Sequence, residues 1–296
     1  MWALQFTCIK LVQGQAGPFF TVWCPMTLAM LALYPLVRRE RKNAPMEQPV
    51  GPKPNLVKMY LLLGVIGVVP GQVFMTWGTR MTLASNAALI TLTLPLATAL
   101  FAVLFLRERM TPMRWLSFLL ALGGVVLCSG ADLQGLNFGS SQLMGNLLVF
   151  GAILGSAFYN SYGKKALEWH SPMEMLFWTY VVVSVVMAPI VILEDHADFA
   201  RIPQFTAGTW IGLILLTVFH NYLSMILFLK ALKALDAIQA ALSNYLIAFF
   251  GIPIAAISLG ERLTAVQVVG GLLVLGSTLA ITLLDRGSKA EPVPIG

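Results

Sequence analysis

Nine apolar stretches of about 20 residues follow one another along the chain, at about 19–37, 57–78, 84–106, 114–131, 143–163, 173–193, 208–230, 236–259 and 265–284. A helix rises 1.5 Å per residue, so each stretch matches the roughly 30 Å hydrocarbon core of a bilayer. The sequence therefore predicts an all-α integral membrane protein. An earlier apolar run, 1–13, is only about 20 Å long as a helix and reads as the second half of a first span whose beginning is missing. Its start carries no basic leader, so no cleavable signal peptide is expected.

Charge is rationed accordingly. Charged residues are 11% of the chain and hydrophobic ones 58%, against about 25% charged in soluble domains. The net charge of +6 sits at span ends, without the long basic helix or aromatic-basic interleaving of a nucleic-acid binder. Cys8, Cys24 and Cys128 lie in or beside apolar segments with no CxxC spacing. They read as small packing residues, with no metal or cofactor implied.

Loop charge sets the orientation. With a cytoplasmic C-terminus, 15 of the 19 basic residues fall inside and only Lys10, Arg80, Arg201 and Arg262 outside, as the positive-inside rule requires. This predicts a multi-pass protein of the cytoplasmic membrane. The acidic run Glu194–Asp198 falls outside and reads as a solvated loop.

The chain also partly repeats itself at a spacing of 153 positions: Leu106, Glu108, Arg109, Thr111 and Gly123 fall on Leu259, Glu261, Arg262, Thr264 and Gly276, and Ala84, Ala87, Ala88 and Leu89 on Ala237, Ala240, Ala241 and Leu242. The shared unit is a span, a Glu-Arg-x-Thr turn and another span. Thr264 with Gln267 forms a capping box, and Pro112 follows Thr111 at a helix start. Glu108 and Glu261 accordingly read as turn residues beside an arginine. Counting the incomplete first span, each copy holds five spans. An odd number inserts the second copy from the opposite side, the mark of many secondary transporters.

The motifs Ala87-Ala88-Leu89 to Pro95, Leu106-Arg107-Glu108-Arg109, Ala240-Ala241-Leu242 and Leu259-Gly260-Glu261-Arg262 resemble those of the drug/metabolite transporter superfamily, in its EamA-like ten-helix branch. Residues 2–10 are similar to the end of that family's first helix. The resemblance implies two inverted five-helix repeats, with about nine complete transmembrane helices here. The expected boundaries are 1–131 for the first repeat, 132–142 for an external linker, 143–285 for the second repeat and 286–296 for a cytoplasmic tail. It also implies export or exchange of a small metabolite, without fixing which. Ala248 stands where the first copy has Pro95, with Pro253 five residues later, so the second half kinks elsewhere.

Polar groups inside spans usually face the bundle interior. Thr217, His220, Asn221 and Ser224 fall at i, i+3, i+4 and i+7, one stripe of an otherwise apolar helix. Gln72 and Thr76 share a face, as do Ser156 and Asn160 with Tyr159 nearby, Asn86 and Thr93, and Gln239 and Ser243, followed by Asn244. Together these predict a wet, sparsely charged substrate cavity. Trp178 and Tyr180 read as packing aromatics or cavity wall, and Lys10 as a side chain reaching for the outer face. Gly67-x-x-x-Gly71, Gly151-x-x-x-Gly155 and Gly208-x-x-x-Gly212 read as close helix contacts. No Asp or Glu sits at mid-depth in any span, so a coupling proton, if used, passes through His220. A small solute and membrane lipid are the expected partners. Sugar-phosphate or nucleotide-sugar exchange ranks lower for want of cavity cations. An intramembrane enzyme ranks lower still, since Ser161-x-x-Lys164 is the only nucleophile-like pattern.

Overall fold

The computed structural model describes residues 1–43, 55–106, 141–234 and 264–284, with short pieces between 112 and 127 and between 250 and 261. The described elements are helices: α1 (Leu4–Val12), α2 (Pro18–Asn43), α3 (Leu56–Met81), α4 (84–106), α5 (Ser141–Trp169), α6 (Pro172–Glu194), a short α7 (His196–Arg201), α8 (Ala207–Ala234) and α9 (Ala265–Leu284). Five of them (α2, α3, α5, α6 and α8) are long and apolar enough to cross a membrane, and α4 and α9 fall on two further predicted spans. The predicted spans 114–131 and 236–259 lie largely outside the described residues. Exposed side chains such as Leu31, Val185, Leu193 and Ile214 coat the outward faces, where acyl chains rather than water are the solvent.

Local chemistry sets the helix starts. Asn55 Oδ1 accepts the Lys58 amide at 3.1 Å, Ser171 Oγ the Glu174 amide at 3.1 Å, and Thr206 Oγ1 the Thr209 amide at 3.4 Å; each quenches an orphan donor of a first turn. Within the bundle α3 and α5 make the tightest seam. A Cβ on Gly78 would stand 2.6 Å from the Gly145 carbonyl, and one on Gly155 would stand 2.9 Å from both the Gly67 carbonyl and the Gly71 amide. The helices thus touch backbone to backbone, which only glycine permits. Of the three expected glycine pairs, Gly67/Gly71 and Gly155 build this seam, Gly151 faces Phe74 of α3 and Gly212 meets Val12 on α1, whereas a Cβ on Gly208 would approach only Thr206.

Within α4, Thr91–Thr93 forms a 3-10 turn, and two longer stretches are π-helical, Leu62–Val68 in α3 and Leu216–Ser224 in α8. They occupy repeat-equivalent positions, and they are sustained differently. In α8 side chains satisfy the displaced carbonyls: Asn221 Nδ2 donates to Leu216 O at 2.9 Å, and the Ser224 hydroxyl, 2.6 Å from both Phe219 O and His220 O, shares its one proton between them. In α3 the wide turn relies on fit: Cβ atoms on Gly64 and Gly67 would lie 2.6 Å from Val182 and 3.1 Å from Tyr159.

Both ends of the bundle are tied by polar bonds. At one end Lys10 Nζ donates to Arg80 O at 3.3 Å and Arg80 Nη2 to Gln13 O at 2.7 Å. Gln15 Oε1 accepts from Thr206 N at 2.7 Å and Thr209 Oγ1 at 2.6 Å. At the other end Arg41 pairs with Glu174, Ser171 Oγ donates to Glu40 at 2.7 Å, and Lys164 Nζ donates to Leu232 O at 2.7 Å. Lys10, expected to reach toward the outer face, bonds the carbonyl of Arg80, itself one of the basic residues assigned to that side.

The acidic run differs more. Asp198 is buried and accepts the Gly17 amide, while Asp195 Oδ2 accepts the Phe20 amide at 2.8 Å. The expected solvated loop is therefore an inter-helix cap. Two carboxylates sit on the positive end of α2, which starts at Pro18 and has no capping side chain of its own. Glu261 does the same for α4: its carboxylate accepts Ala84 N at 2.8 Å, Ser85 N at 2.9 Å and Ser85 Oγ at 2.8 Å. The turn residue of the second copy thus caps a helix of the first. Its counterpart Glu108 lies outside the described residues.

Candidate functional site

A cavity of about 90 Å³ lies among α1–α6 and α8, enough for roughly six to nine water molecules at about 10–15 Å³ each. Its polar lining is Gln5, Gln72, Thr91, Ser156, Asn160 and His220, and its apolar lining includes Trp2, Phe6, Met26, Met75, Ile153 and Phe228, with Tyr159 and Tyr180 joining them. A smaller annex of about 10 Å³ adjoins it, bordered by Thr21, Thr76 and Asn221 and sharing Gln5, Gln72 and His220. Thr21 and Thr76 lie toward the Asp195 end of the bundle, so the annex extends the cavity in that direction. No described residue lining either space is charged at neutral pH apart from what His220 carries when protonated.

Several of these polar atoms have no hydrogen-bond partner among the described residues. Both ring nitrogens of His220, Nδ2 of Asn160 and Nε1 of Trp2 are buried without a hydrogen-bond partner. Burying such groups costs about 1–3 kcal/mol each when unpaired, so the cavity favours an occupant that supplies complementary donors and acceptors. Other groups are already committed. Gln5 Nε2 lies 3.4 Å from Gln72 Oε1, and Tyr180 Oη donates to Asn221 O at 2.8 Å. The Trp2 ring stands 4.9 Å from Phe228 and 6.4 Å from the His220 ring, tilted to both.

The arrangement gathers Gln72, Thr76, Tyr159, Asn160, His220 and Asn221 around the two spaces. It does not bring Thr217 and Ser224 there. Thr217 Oγ1 bonds Leu213 O at 2.8 Å, and Ser224 serves the π turn. A stripe computed at α periodicity loses phase across a wider turn, so Met225 lines the cavity in place of Ser224. Asn86 is fully buried on α4 with its amide 3.4 Å from Thr82 Oγ1, and Thr93 Oγ1 bonds Ile90 O at 2.8 Å; neither lines the cavity or its annex. Gln239, Ser243 and Asn244 lie outside the described residues. Trp178 sits at the Arg41 end, away from the cavity, whereas Tyr180 is part of its wall.

Sequence reasoning did not single out Trp2, Gln5, Thr21 or Thr91. Gln5 carried a usable signal, an amide in a short apolar run. Thr21 and Thr91 carried little, because a threonine in a span is as often bonded to its own helix, as Thr91 Oγ1 is to Ala88 O at 2.6 Å.

The sequence profile of the EamA-like transporter family matches twice, over residues 1–130 and 143–283. The chain is 24% identical to a probable terminal-alkyne amino-acid exporter of Streptantibioticus cattleyicolor, over 98% of this chain and 92% of that protein. It is 24% identical to an S-adenosylmethionine uptake transporter of Rickettsia bellii over 75% of this chain and 72% of that one, and 27% identical to an uncharacterized transporter of Archaeoglobus fulgidus over 77% and 78%. A solved crystal structure with 17% identity superposes with a TM-score of 0.65, covering 98% of this chain and 96% of its own.

Proposed function

Because the chain belongs to the EamA-like transporter family, we propose that it is a secondary carrier exporting or exchanging a small uncharged or zwitterionic metabolite of amino-acid size. The carrying observation is the cavity itself: about 90 Å³, drawn from both halves, uncharged in its described lining, with orphaned polar atoms on His220 and Asn160. A solute with a short apolar body and a few hydrogen-bonding groups satisfies both walls. The likeness to an amino-acid exporter over almost the whole chain supports this size class. S-adenosylmethionine, the solute named for another relative, is too large for the space in this conformation. A sugar phosphate or nucleotide sugar lacks the cations it needs there.

The two halves, bounded at 1–131 and 143–285, rock against each other to expose the cavity to each side in turn. The protein sits in the cytoplasmic membrane with its C-terminus inside, on the strength of the loop-charge bias. Any coupling proton travels on His220, the imidazole at the junction of cavity and annex.

The test is a thermal-shift screen of neutral and zwitterionic amino acids on purified protein, followed by counterflow in vesicles. Loss of Asn160 and Gln72 should weaken binding, and His220→Gln should flatten the pH dependence of transport. Binding that survives simultaneous loss of His220, Asn221, Gln72 and Asn160 would put the substrate elsewhere. Transport that stays pH-coupled in His220→Gln would remove the coupling role alone.

A further inference from the structure

A second concavity lies outside the transport path, at the Arg41 end of the bundle between α2 and α6. It measures about 560 Å³, several times the central cavity. Its wall is aromatic: Phe177 stands 6.1 Å from Tyr34 and 5.3 Å from Trp178, ring centre to ring centre. Its rim is cationic, with Arg38, Arg41 and Lys42. The guanidinium of Arg41 is paired to Glu174 and lies 5.9 Å from the centre of the Trp178 ring. Arg38 and Lys42 are exposed and have no carboxylate partner among the described residues.

One stripe of α2 organises this chemistry. Leu31, Tyr34, Arg38 and Lys42 follow at helical spacing along the same face, and Leu31 and Tyr34 are more than half exposed. Read toward the helix end, the stripe passes from aliphatic to aromatic to cationic. That gradient mirrors a phospholipid seen from acyl chain to headgroup, and exposed Tyr and Trp rings favour the membrane–water boundary. A bare anion would need the cations alone, whereas the aromatic wall and the open aliphatic approach suit a ligand with a chain. We propose that this groove binds an acidic phospholipid, its phosphodiester on Arg38 and Lys42 and the upper part of an acyl chain against Tyr34 and Phe177. The site is independent of the transported solute.

Native mass spectrometry of the purified full-length chain, titrated with phosphatidylglycerol or phosphatidylcholine in mixed micelles, tests this. The wild type should retain phosphatidylglycerol in preference. Each cation near a membrane surface is worth about fivefold in affinity for acidic lipid, so R38Q/K42Q should lose about 25-fold for phosphatidylglycerol and nothing for phosphatidylcholine. K230Q, which removes an exposed charge outside the groove, should match the wild type. K42Q alone, with an expected fivefold loss, carries the test if the double variant does not fold. Equal retention of both lipids by the wild type overturns the proposal, as does undiminished phosphatidylglycerol binding by R38Q/K42Q or K42Q. Displacement of the lipid by equimolar inorganic phosphate also overturns it, in favour of a soluble anion.

Discussion

Truncating Glu261 should loosen the contact between the two halves by an amount that can be worked from the cap it forms. Its carboxylate accepts two backbone amides and one hydroxyl at 2.8–2.9 Å. The recipients Ala84 and Ser85 are buried to 0% and 1% exposure, so water does not readily replace the lost acceptor. An orphaned buried donor costs about 1–3 kcal/mol, and an anion at a helix N-terminus adds about 0.3–1 kcal/mol. Glu261→Ala should therefore cost about 2–4 kcal/mol. At about 2–4 °C per kcal/mol for a chain of a few hundred residues, its Tm in detergent should fall by several degrees or more. Glu261→Gln keeps one acceptor oxygen and should lose about half as much. Ser85→Ala removes one of the three bonds, so the pair Glu261→Ala and Ser85→Ala should show a coupling of about 0.5–1.5 kcal/mol in a double-mutant cycle. A Glu261→Ala protein melting within a degree of wild type, or a strictly additive double variant, would refute the reasoning.

Other substitutions probe the seam, the π turn and the acidic cap. Gly78→Leu forces a side chain into the Gly145 carbonyl and should cost about 1–3 kcal/mol or more by overpacking, while Gly276→Leu, with open space around it, should leave the melting curve unchanged. Tyr180→Phe removes the bond to Asn221 O and should cost about 1 kcal/mol, read by thermal unfolding. Burial holds the Asp195 carboxyl above its ordinary range, against the opposing Phe20 amide bond. The folded state therefore binds this proton more tightly than the unfolded chain. Stability from this group is greatest below the ordinary carboxylate pKa and is lost as pH rises through the raised value. The Tm of Asp195→Asn relative to wild type should accordingly climb from pH 4 to pH 7; a difference that shrinks over that interval contradicts the assignment.

The helical membrane architecture and its duplication were legible because span length and loop charge are set by the bilayer, a solvent of fixed thickness. The repeat was readable in the Glu-Arg-x-Thr turns, and the twofold family match bears it out. The role of Glu261 was not, because its partners lie 176 and 177 positions away and nothing local marks a residue as another helix's cap. The same distance hid the acidic cap, since Asp195 and Asp198 look like any solvated cluster until α2 is placed beneath them. The polar stripe of α8 failed at a definable point. Its periodicity assumed an α-helix, and Asn221 and Ser224, two of the residues read as cavity lining, are what sustain the π turn that breaks the period. Gln72, Asn160 and His220 line the cavity, as expected when a polar side chain in lipid turns inward whatever the local helix geometry.

The glycine seam between α3 and α5 bears on how such a molecule can move. Where α3 meets α5 along Gly67, Gly71 and Gly78, α3 offers no side chain of its own at those positions to Tyr159, Ser156 and Val149 of α5, so little is left to unmesh, yet no gap is left for one rod to drift from the other. Such a line resists separation and tolerates roll, as a fulcrum does. Motion that exposes the cavity would then appear as tilting about this line, with the largest displacements at the tied ends and the smallest at the glycines.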